Sequence, residues 1–506
     1  MKFRSEAFPQ LLIIMIIYRN FINGEWLASS SNQTAPNINP ANTNDIIGTT
    51  KFSTREEARS AVNAAHDAFK SWKNTPAPTR GKIVAKFARL LEDDKENLAQ
   101  ILTREEGKTL AESRGELSRS INVAEFCAGE SRRLNGETIQ SELAANFAYT
   151  IKEPHGVVAI ITPWNFPVAI PVWKLAPALV AGNTVVFKPA ESTPATAVRI
   201  VELFIEAGLP NGVLNLILGA GAEVGDEIIR HAAVKAISFT GSTATGIKLY
   251  EQAAKRGAKV QCEMGGKNPV VVLADCDLDL AVESTANGAF GSTGQRCTAT
   301  SRAIVIDTIA DEFVRKIVEK AGRMRIGDGA DAATEMGPIV DDKQFKNVLK
   351  YIDIGREDGA ELLCGGKRAT GENLENGYFV EPTIFDQVTP EMRIAQEEIF
   401  GPVLSILRVK NYEEAMLVAN DSIYGLTSSI FTNDPNAIFR FVHEIETGMM
   451  HINSPTTGGE AHIPFGGVKM TGIGAREQGS TALDFYTELK VVYVDYTGRK
   501  REGNLY

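Results

Sequence analysis

From residue 151 onward, short and almost wholly apolar runs alternate with longer stretches in which apolar residues recur every three or four positions. The runs at 157–161, 184–187, 213–218 and 236–239 end in glycine or proline or lead into helical stretches. Short strands separated by helices of this length predict a parallel, doubly wound sheet. A second series at 269–273, 302–306 and 403–407, again separated by long helical stretches, predicts a second α/β unit.

Upstream the period changes. Residues 55–147 read as helical, with a capped start at Thr54-Arg55-Glu56-Glu57 and three- and four-residue apolar spacing around 58–72 and 81–101. These helices are expected to cover one face of a sheet. Residues 18–26 read as a strand, an Asn-Gly turn and a return strand. Residues 488–496 alternate polar and apolar positions, which predicts an exposed edge strand able to pair with a neighbouring subunit's sheet. Proline- and glycine-rich linkers are missing, so the units are expected to pack closely.

A chain of 506 residues has room for two or three domains, and its apolar and charged fractions are those of a globular protein. The net charge of -10, with basic residues scattered along the chain, argues against nucleic acid as a partner. Five cysteines at irregular spacing suit free thiols in a reducing compartment, with cytoplasm as the default, and offer no metal-site spacing. The apolar run 11–17 after Lys2 and Arg4 imitates the start of a signal peptide, but it is too short to span a bilayer and no small-residue cleavage site follows. It reads instead as an extension without a role in the fold, with Met15 as an alternative start; no membrane partner is expected.

Candidate chemistry begins at Cys297, which follows Gly294-Gln295-Arg296. A lone cysteine is more often a small buried hydrophobe. About thirty residues upstream, however, Glu263 precedes the pair Gly265-Gly266, and a carboxylate with a thiol suggests base and nucleophile. Lys188 and Glu191 follow a predicted strand, where a carboxylate can accept bonds from both hydroxyls of an adenosine ribose and would repel the extra phosphate of NADP. A solvated ion pair is the other reading. Phe239-Thr240-Gly241-Ser242-Thr243 closes a strand and opens a helix, so amides and the Ser242 hydroxyl would face an anion, although the string is neither GxGxxG nor a P-loop. Gly219, Gly221 and Gly225 form a second glycine-rich turn, which backbone geometry alone could also explain.

Taken together, Thr162-Pro163-Trp164-Asn165-Phe166-Pro167, Lys188-Pro189-Ala190-Glu191, Phe239 to Thr243, Glu263-Met264-Gly265-Gly266-Lys267, Gly294 to Cys297, Glu397-Glu398-Ile399-Phe400-Gly401-Pro402 and Pro464-Phe465-Gly466-Gly467 resemble the aldehyde dehydrogenase superfamily, in order and separation, from about Phe21 to Tyr496. Met264 stands where leucine is commoner, a swap of similar volume. The resemblance implies that Cys297 is the nucleophile, Glu263 the general base, and Asn165 with the Cys297 amide the oxyanion hole, with Lys174 relaying protons. It implies NAD, with NADP as the alternative, held by Lys188 and Glu191 at the adenosine ribose, Ser242 at the pyrophosphate, and Glu398 and Phe400 at the nicotinamide end. Thr162, Pro163, Trp164, Gly221, Gly225, Phe239, Gly241, Met264 and Gly265 would line that cleft.

The resemblance further implies a Rossmann-like cofactor domain at 18–139 and 160–262, a catalytic α/β domain at 263–480, and a β arm at 140–159 and 481–506 that joins subunits into a homodimer or homotetramer; residues 1–17 would be the extension. Within the superfamily, the strings 294–302, 451–457 and 462–465 look most like 2-oxoglutarate semialdehyde (2,5-dioxopentanoate) dehydrogenases, which act in sugar-acid breakdown. Such a substrate carries a carboxylate, so an arginine partner is expected. Arg296, Arg119 and Arg132 are the candidates, and Phe465 would sit beside the substrate. Succinate semialdehyde and aromatic aldehydes are the other substrates to weigh. Glu263 argues against a CoA-acylating transferase, and Cys297 against a structural relative.

Overall fold

The computed structural model describes residues 16–371 and 373–500. The readings made for residues 1–15 lie outside the described residues, but the end of the run read as an extension without a role in the fold does take part in it: Ile17 and Tyr18 pair parallel with Thr49 and Thr50, and the Thr49 amide donates to the Ile16 carbonyl at 2.8 Å.

Helix α1 (Arg55–Lys73) starts where the sequence indicates, because Thr54 and Glu57 cap each other: the Glu57 amide donates to Thr54 Oγ1 at 3.3 Å and the Thr54 amide to Glu57 Oε2 at 2.9 Å. Helices α2 (Ala77–Asp93) and α3 (Lys95–Glu106) follow, the latter stopped by Gly107 at φ 98°, a left-handed conformation that glycine adopts without strain. Helix α4 (Leu110–Glu130) opens with a second capping box, Thr109 with Glu112.

Here the helical reading of 55–147 fails. Helix ends at Glu130, and Thr138–Gln140 and Asn146–Pro154 are strands. Segment 146–154 lies half-buried in an antiparallel ladder, and the chain reaches it past Gly136, where a Cβ would lie 1.7 Å from the Thr150 carbonyl oxygen. That close backbone approach needs glycine and marks the break.

The first sheet has eight strands. Its centre is parallel, in the order Lys259–Glu263, Val234–Thr240, Val157–Ile161, Thr184–Lys188 and Leu214–Leu216. The N-terminal hairpin Asn20–Ile22/Glu25–Leu27 closes one edge, turning through Asn23 and Gly24 at positive φ as the Asn-Gly signal predicts. At the other edge Gly472–Ile473 pairs antiparallel with Cys262 and Glu263. The second sheet has seven strands, in the order Glu361–Cys364, Thr383–Asp386, Val403–Val409, Thr300–Ile306, Asn268–Val272, Thr427–Phe431 and Met449–Ile452, parallel except for the first pair.

Register fixes what the sheets can present. Ile161 pairs with Lys188, Phe239 with Ile161, and Thr240 with Glu263, so Lys188, Ile161, Thr240 and Glu263 finish four consecutive parallel strands. Five residues after Glu263, Asn268 opens a strand of the second sheet, paired with Thr300 just beyond Cys297. The thiol segment and the Glu263 strand end are thereby brought to the same junction.

Strand Thr487–Asp495 pairs along its whole length with Asn146–Pro154 of the same chain, and its other side is an edge. Leu489, Val491, Tyr493 and Val494 are exposed there. Among the described residues no helix is long and apolar enough to cross a membrane.

Candidate active site

A cleft of about 280 Å³ opens where the two sheets meet, lined by Pro163, Trp164, Asn165, Gly241, Ser242, Met264, Gly265, Cys297, Glu398 and Phe400. Ten of the sequence-predicted residues are therefore brought together.

Cys297 leaves a tight turn in which Ser292, Thr293 and Gly294 have φ of 47°, 58° and 67°. A Cβ on Gly294 would sit 2.2 Å from the Gly401 carbonyl oxygen, so only glycine fits there. Asn268 Nδ2 donates to the carbonyls of Cys297 and Ala299, each at 2.8 Å, and Thr456 Oγ1 to the Thr298 carbonyl at 2.8 Å. Asn165 Nδ2 donates to the Gln295 carbonyl at 3.0 Å, which sets its side-chain amide against the thiol's own loop. Burial, then the charges of Glu398 and Glu263, push the thiol up to about 12.

Glu263 is buried, and burial, with the Glu477 carboxylate second, raises its pKa well above the usual carboxylate range. The Gly467 amide binds it, while Oε2 has no partner among the described residues. A Cβ on Gly466 would approach Glu263 Oε1 to 2.5 Å, so glycine at φ 145° lets the chain pass the carboxylate. Lys174, buried on helix α5 (Ala169–Ala181), donates to Ser238 Oγ at 2.9 Å and is ion-paired with Glu477. Glu477 was not indicated by any motif, yet it links Lys174 to the surroundings of Glu263.

The remaining part of the site extends along the strand ends of the first sheet. Lys188 Nζ is buried 4.0 Å from Glu191, and Glu191 Oε1 accepts the Gly221 amide at 3.0 Å, so these three form one patch with the turn that ends at Gly225. Burial lowers the Lys188 pKa. Ser242 precedes helix Thr243–Ala254 but donates to Thr245 Oγ1 at 2.9 Å and caps no amide, so the first-turn N–H groups have no side-chain partner. Phe239 and Met264 pack against Gly241 and Gly246. At the thiol end Glu398 Oε1 accepts the Gly266 amide at 2.9 Å, and burial takes its pKa to about 7. Phe400 (φ 59°) meets Trp164 edge-on at 5.4 Å, and Gln344 Nε2 holds the carbonyls of Ile399 and Phe400, each at 2.9 Å. Thr162 lies at the adjoining strand end, its amide donating to the Lys188 carbonyl at 3.2 Å. A cation and a carboxylate at one end, open amides in the middle and a second carboxylate beside the thiol fit an elongated ligand with a sugar at each end and an anionic centre.

Arg296 does not face this cleft. Its Nη2 donates to Glu112 Oε1 at 3.1 Å and its Nε to Ser292 Oγ at 2.9 Å, and it lines a separate, more open cleft with charged residues of 279–335. The sequence neighbour of the thiol braces the turn. Arg132 is exposed just past the end of α4. Phe465 is buried with its ring 5.5 Å from Trp173.

Sequence reasoning missed the group that holds the site together. Lys108 Nζ, 1% exposed, donates to Glu116 Oε2 at 2.6 Å and to the Asn165 carbonyl at 2.7 Å. Glu116 Oε1 takes the amides of Val168 and Ala169 at 2.9 and 3.0 Å, at the start of α5. Glu112 Oε1 takes the Ser292 amide at 2.6 Å. In sequence these charges are indistinguishable from a solvated helix face.

The chain matches the model of the aldehyde dehydrogenase family over residues 26–492. It is 47% identical over 477 residues to the alpha-ketoglutaric semialdehyde dehydrogenase of Bacillus subtilis (strain 168), covering 94% of this chain and 98% of the relative. It is 46% identical over 479 residues to the alpha-ketoglutarate semialdehyde dehydrogenase of Haloferax volcanii, covering 94% and 99%. A crystal structure of betaine aldehyde dehydrogenase from Staphylococcus aureus in complex with NAD+ superposes with a TM-score of 0.93 at 38% identity, covering 96% of this chain and 95% of that one.

Removing one member of a buried ion pair strands the other charge, at a typical cost of about 3–5 kcal/mol. We therefore expect Lys108→Met and Glu116→Gln each to lower the chemical-denaturation midpoint, and the double variant to lose less than the two single losses combined. Strict additivity in that cycle would show that the two charges do not act as a pair.

Proposed function

The chain belongs to the aldehyde dehydrogenase family, and from that premise we propose that it oxidises 2-oxoglutarate semialdehyde to 2-oxoglutarate through Cys297, with NAD as cofactor. The observation that carries the reaction is a half-buried thiol and the Asn165 amide lining one cleft, with the Glu263 carboxylate close enough for its charge to act on the thiol. The substrate is supported by the names of the relatives from Bacillus subtilis and Haloferax volcanii.

With its pKa near 12 the thiol needs a base, and Glu263, whose own pKa is raised, is able to take the proton. The thiolate adds to the aldehyde carbon, and the charge that develops on the aldehyde oxygen is held by Asn165 Nδ2 and the Cys297 amide. Bound NAD supplies the hydride acceptor. Its adenosine ribose falls to Lys188 and Glu191, its pyrophosphate to Ser242 and the helix that follows, and its other ribose to Glu398 beside Phe400. Glu191 favours NAD over NADP, since a carboxylate there repels a ribose phosphate. Glu263 then deprotonates the water that hydrolyses the thioester, releasing the acid and the Cys297 thiolate. Lys174 and Glu477 form the path by which the proton leaves Glu263. The exposed edge of Thr487–Asp495 supports assembly as a homodimer or homotetramer.

Three measurements check this reading. Supplied with NAD and no CoA, the protein should reduce NAD with 2-oxoglutarate semialdehyde at a higher kcat/KM than with succinate semialdehyde or benzaldehyde; a reversed order removes the substrate assignment, and a CoA requirement removes hydrolysis. Asn165→Ala should lower kcat roughly a hundred- to a thousandfold. Because the Glu263 pKa lies above the ordinary carboxylate range, the base is protonated and idle at low pH. The rate should rise with pH through an apparent pKa above that range. Glu263→Gln should lower kcat by about a hundredfold or more and abolish that acid limb; an unchanged limb would assign it to another group.

A further inference from the structure

Three buried donors gathered around Trp173 have no acceptor among the described residues. They are Arg119 Nε on α4, Trp173 Nε1 on α5 and Gln478 Nε2, and they belong to one contact group. The Arg119 guanidinium stacks over the Trp173 ring at 5.3 Å, and Arg119 Nη2 donates to Gln478 Oε1 at 3.2 Å. Gln478 is 3% exposed and is held at φ 57°, next to Glu477. Trp173 packs on Phe465. Gly459, at φ 155°, passes so near that a Cβ would lie 2.8 Å from Arg119 Nη2.

Buried donors without acceptors are costly, and three in one place need an explanation. An arginine in such surroundings ordinarily has a carboxylate. The acidic residue one turn back on α4, Glu116, is already bound to Lys108 and to the amides at the start of α5. Among the described residues Arg119 otherwise hydrogen-bonds only the Gln478 oxygen, with Cys297 and Glu116 acting on its charge from further off. A cation and two neutral N–H groups together suit a ligand with several oxygens and one negative charge.

We propose that Arg119, with Gln478 and Trp173, reads the 2-oxo-carboxylate end of the aldehyde substrate. The guanidinium takes the carboxylate in the forked geometry available to arginine, and the two neutral donors satisfy the remaining oxygens. The inference rests on the proposed reaction at Cys297, and it deepens it by assigning the carboxylate-recognising residue that Arg296 does not supply. It also gives a physical reason against a cationic substrate such as betaine aldehyde, which would meet a like charge.

The test compares aldehydes of equal chain length with and without the acid group: 2-oxoglutarate semialdehyde against pentanal, and succinate semialdehyde against butanal. Wild type should prefer the acid in each pair, and Arg119→Met should lower the acid-to-neutral ratio of kcat/KM by about 30-fold, the effect of losing a hydrogen bond to a charged group. Arg119→Lys should fall between the two. The ratio is independent of how much of a variant folds. Calorimetric binding of 2-oxoglutarate against pentanoate reads the same preference without turnover, in case both variants are inactive. A drop of less than tenfold in both pairs, or no preference for acids in wild type, overturns the inference. If only the succinate semialdehyde pair behaves as expected, Arg119 stands and the choice of 2-oxoglutarate semialdehyde falls.

Discussion

A lysine ammonium with almost no access to water, Lys108, sets the geometry on which the site depends. Its bonds run to Glu116 and to the Asn165 carbonyl, and Glu116 in turn collects two amides at the start of α5. One turn earlier Glu112 collects the Ser292 amide and the Arg296 guanidinium. The opening turns of α4 thus grip two loops at once, that of Asn165 and that of Cys297. A buried ion pair is weak evidence for net stability, because the desolvation of both charges offsets much of their attraction. Its value here is directional: each charge is spent on a backbone group whose displacement would alter the gap between amide and thiol.

That fixed gap matters because the surroundings otherwise oppose a thiolate. Burial raises the thiol's pKa most, and the charges of Glu398 and Glu263 raise it further. The same burial raises both carboxylates, so each is easier to protonate than an exposed acid. Proton transfer from sulfur to a raised carboxylate is therefore less unfavourable than the thiol's value alone implies. Arg119 is the one cation among the groups acting on the thiol, and it favours the ionised sulfur. The same positive charge has two uses, on the nucleophile and on the anion proposed to approach it.

Much of the architecture could be read from the chain because it follows from period and turn chemistry. The Thr54–Glu57 box, the Asn23-Gly24 turn and the buried strands at 157–161, 184–188 and 403–409 are local signals with local causes. Residues 131–147 were misread as helical because polar positions near a strong helical stretch hid a period of two, which the cross-strand partner Thr487–Asp495 makes stable. The site was legible where glycine is obligatory or where a motif spans a strand end, as at Cys297, Glu263 and Ser242. It was illegible where the chemistry is made by contacts between distant segments: Lys108 with Asn165, Lys174 with Glu477, Arg119 with Gln478. Sequence adjacency pointed to Arg296 beside the thiol, while the side chain turns away to Glu112.

The turn before Cys297 shows why adjacency misled. Three successive residues with positive φ, two of them not glycine, store strain of order 1–3 kcal/mol each for Ser292 and Thr293. Such a turn persists only if its groups are held from outside. Ser292 is held by Glu112, Thr293 Oγ1 by the Gly337 carbonyl at 3.0 Å, and Gln295 Oε1 by the Val340 amide at 3.0 Å. Arg296 joins this set by bonding both Glu112 and Ser292 Oγ, closing a ring of contacts around the strained residues. Its charge is consumed in that ring, so recognition of the anionic substrate proposed above would have to come from another element, and α4, which supplies the brace, also carries Arg119.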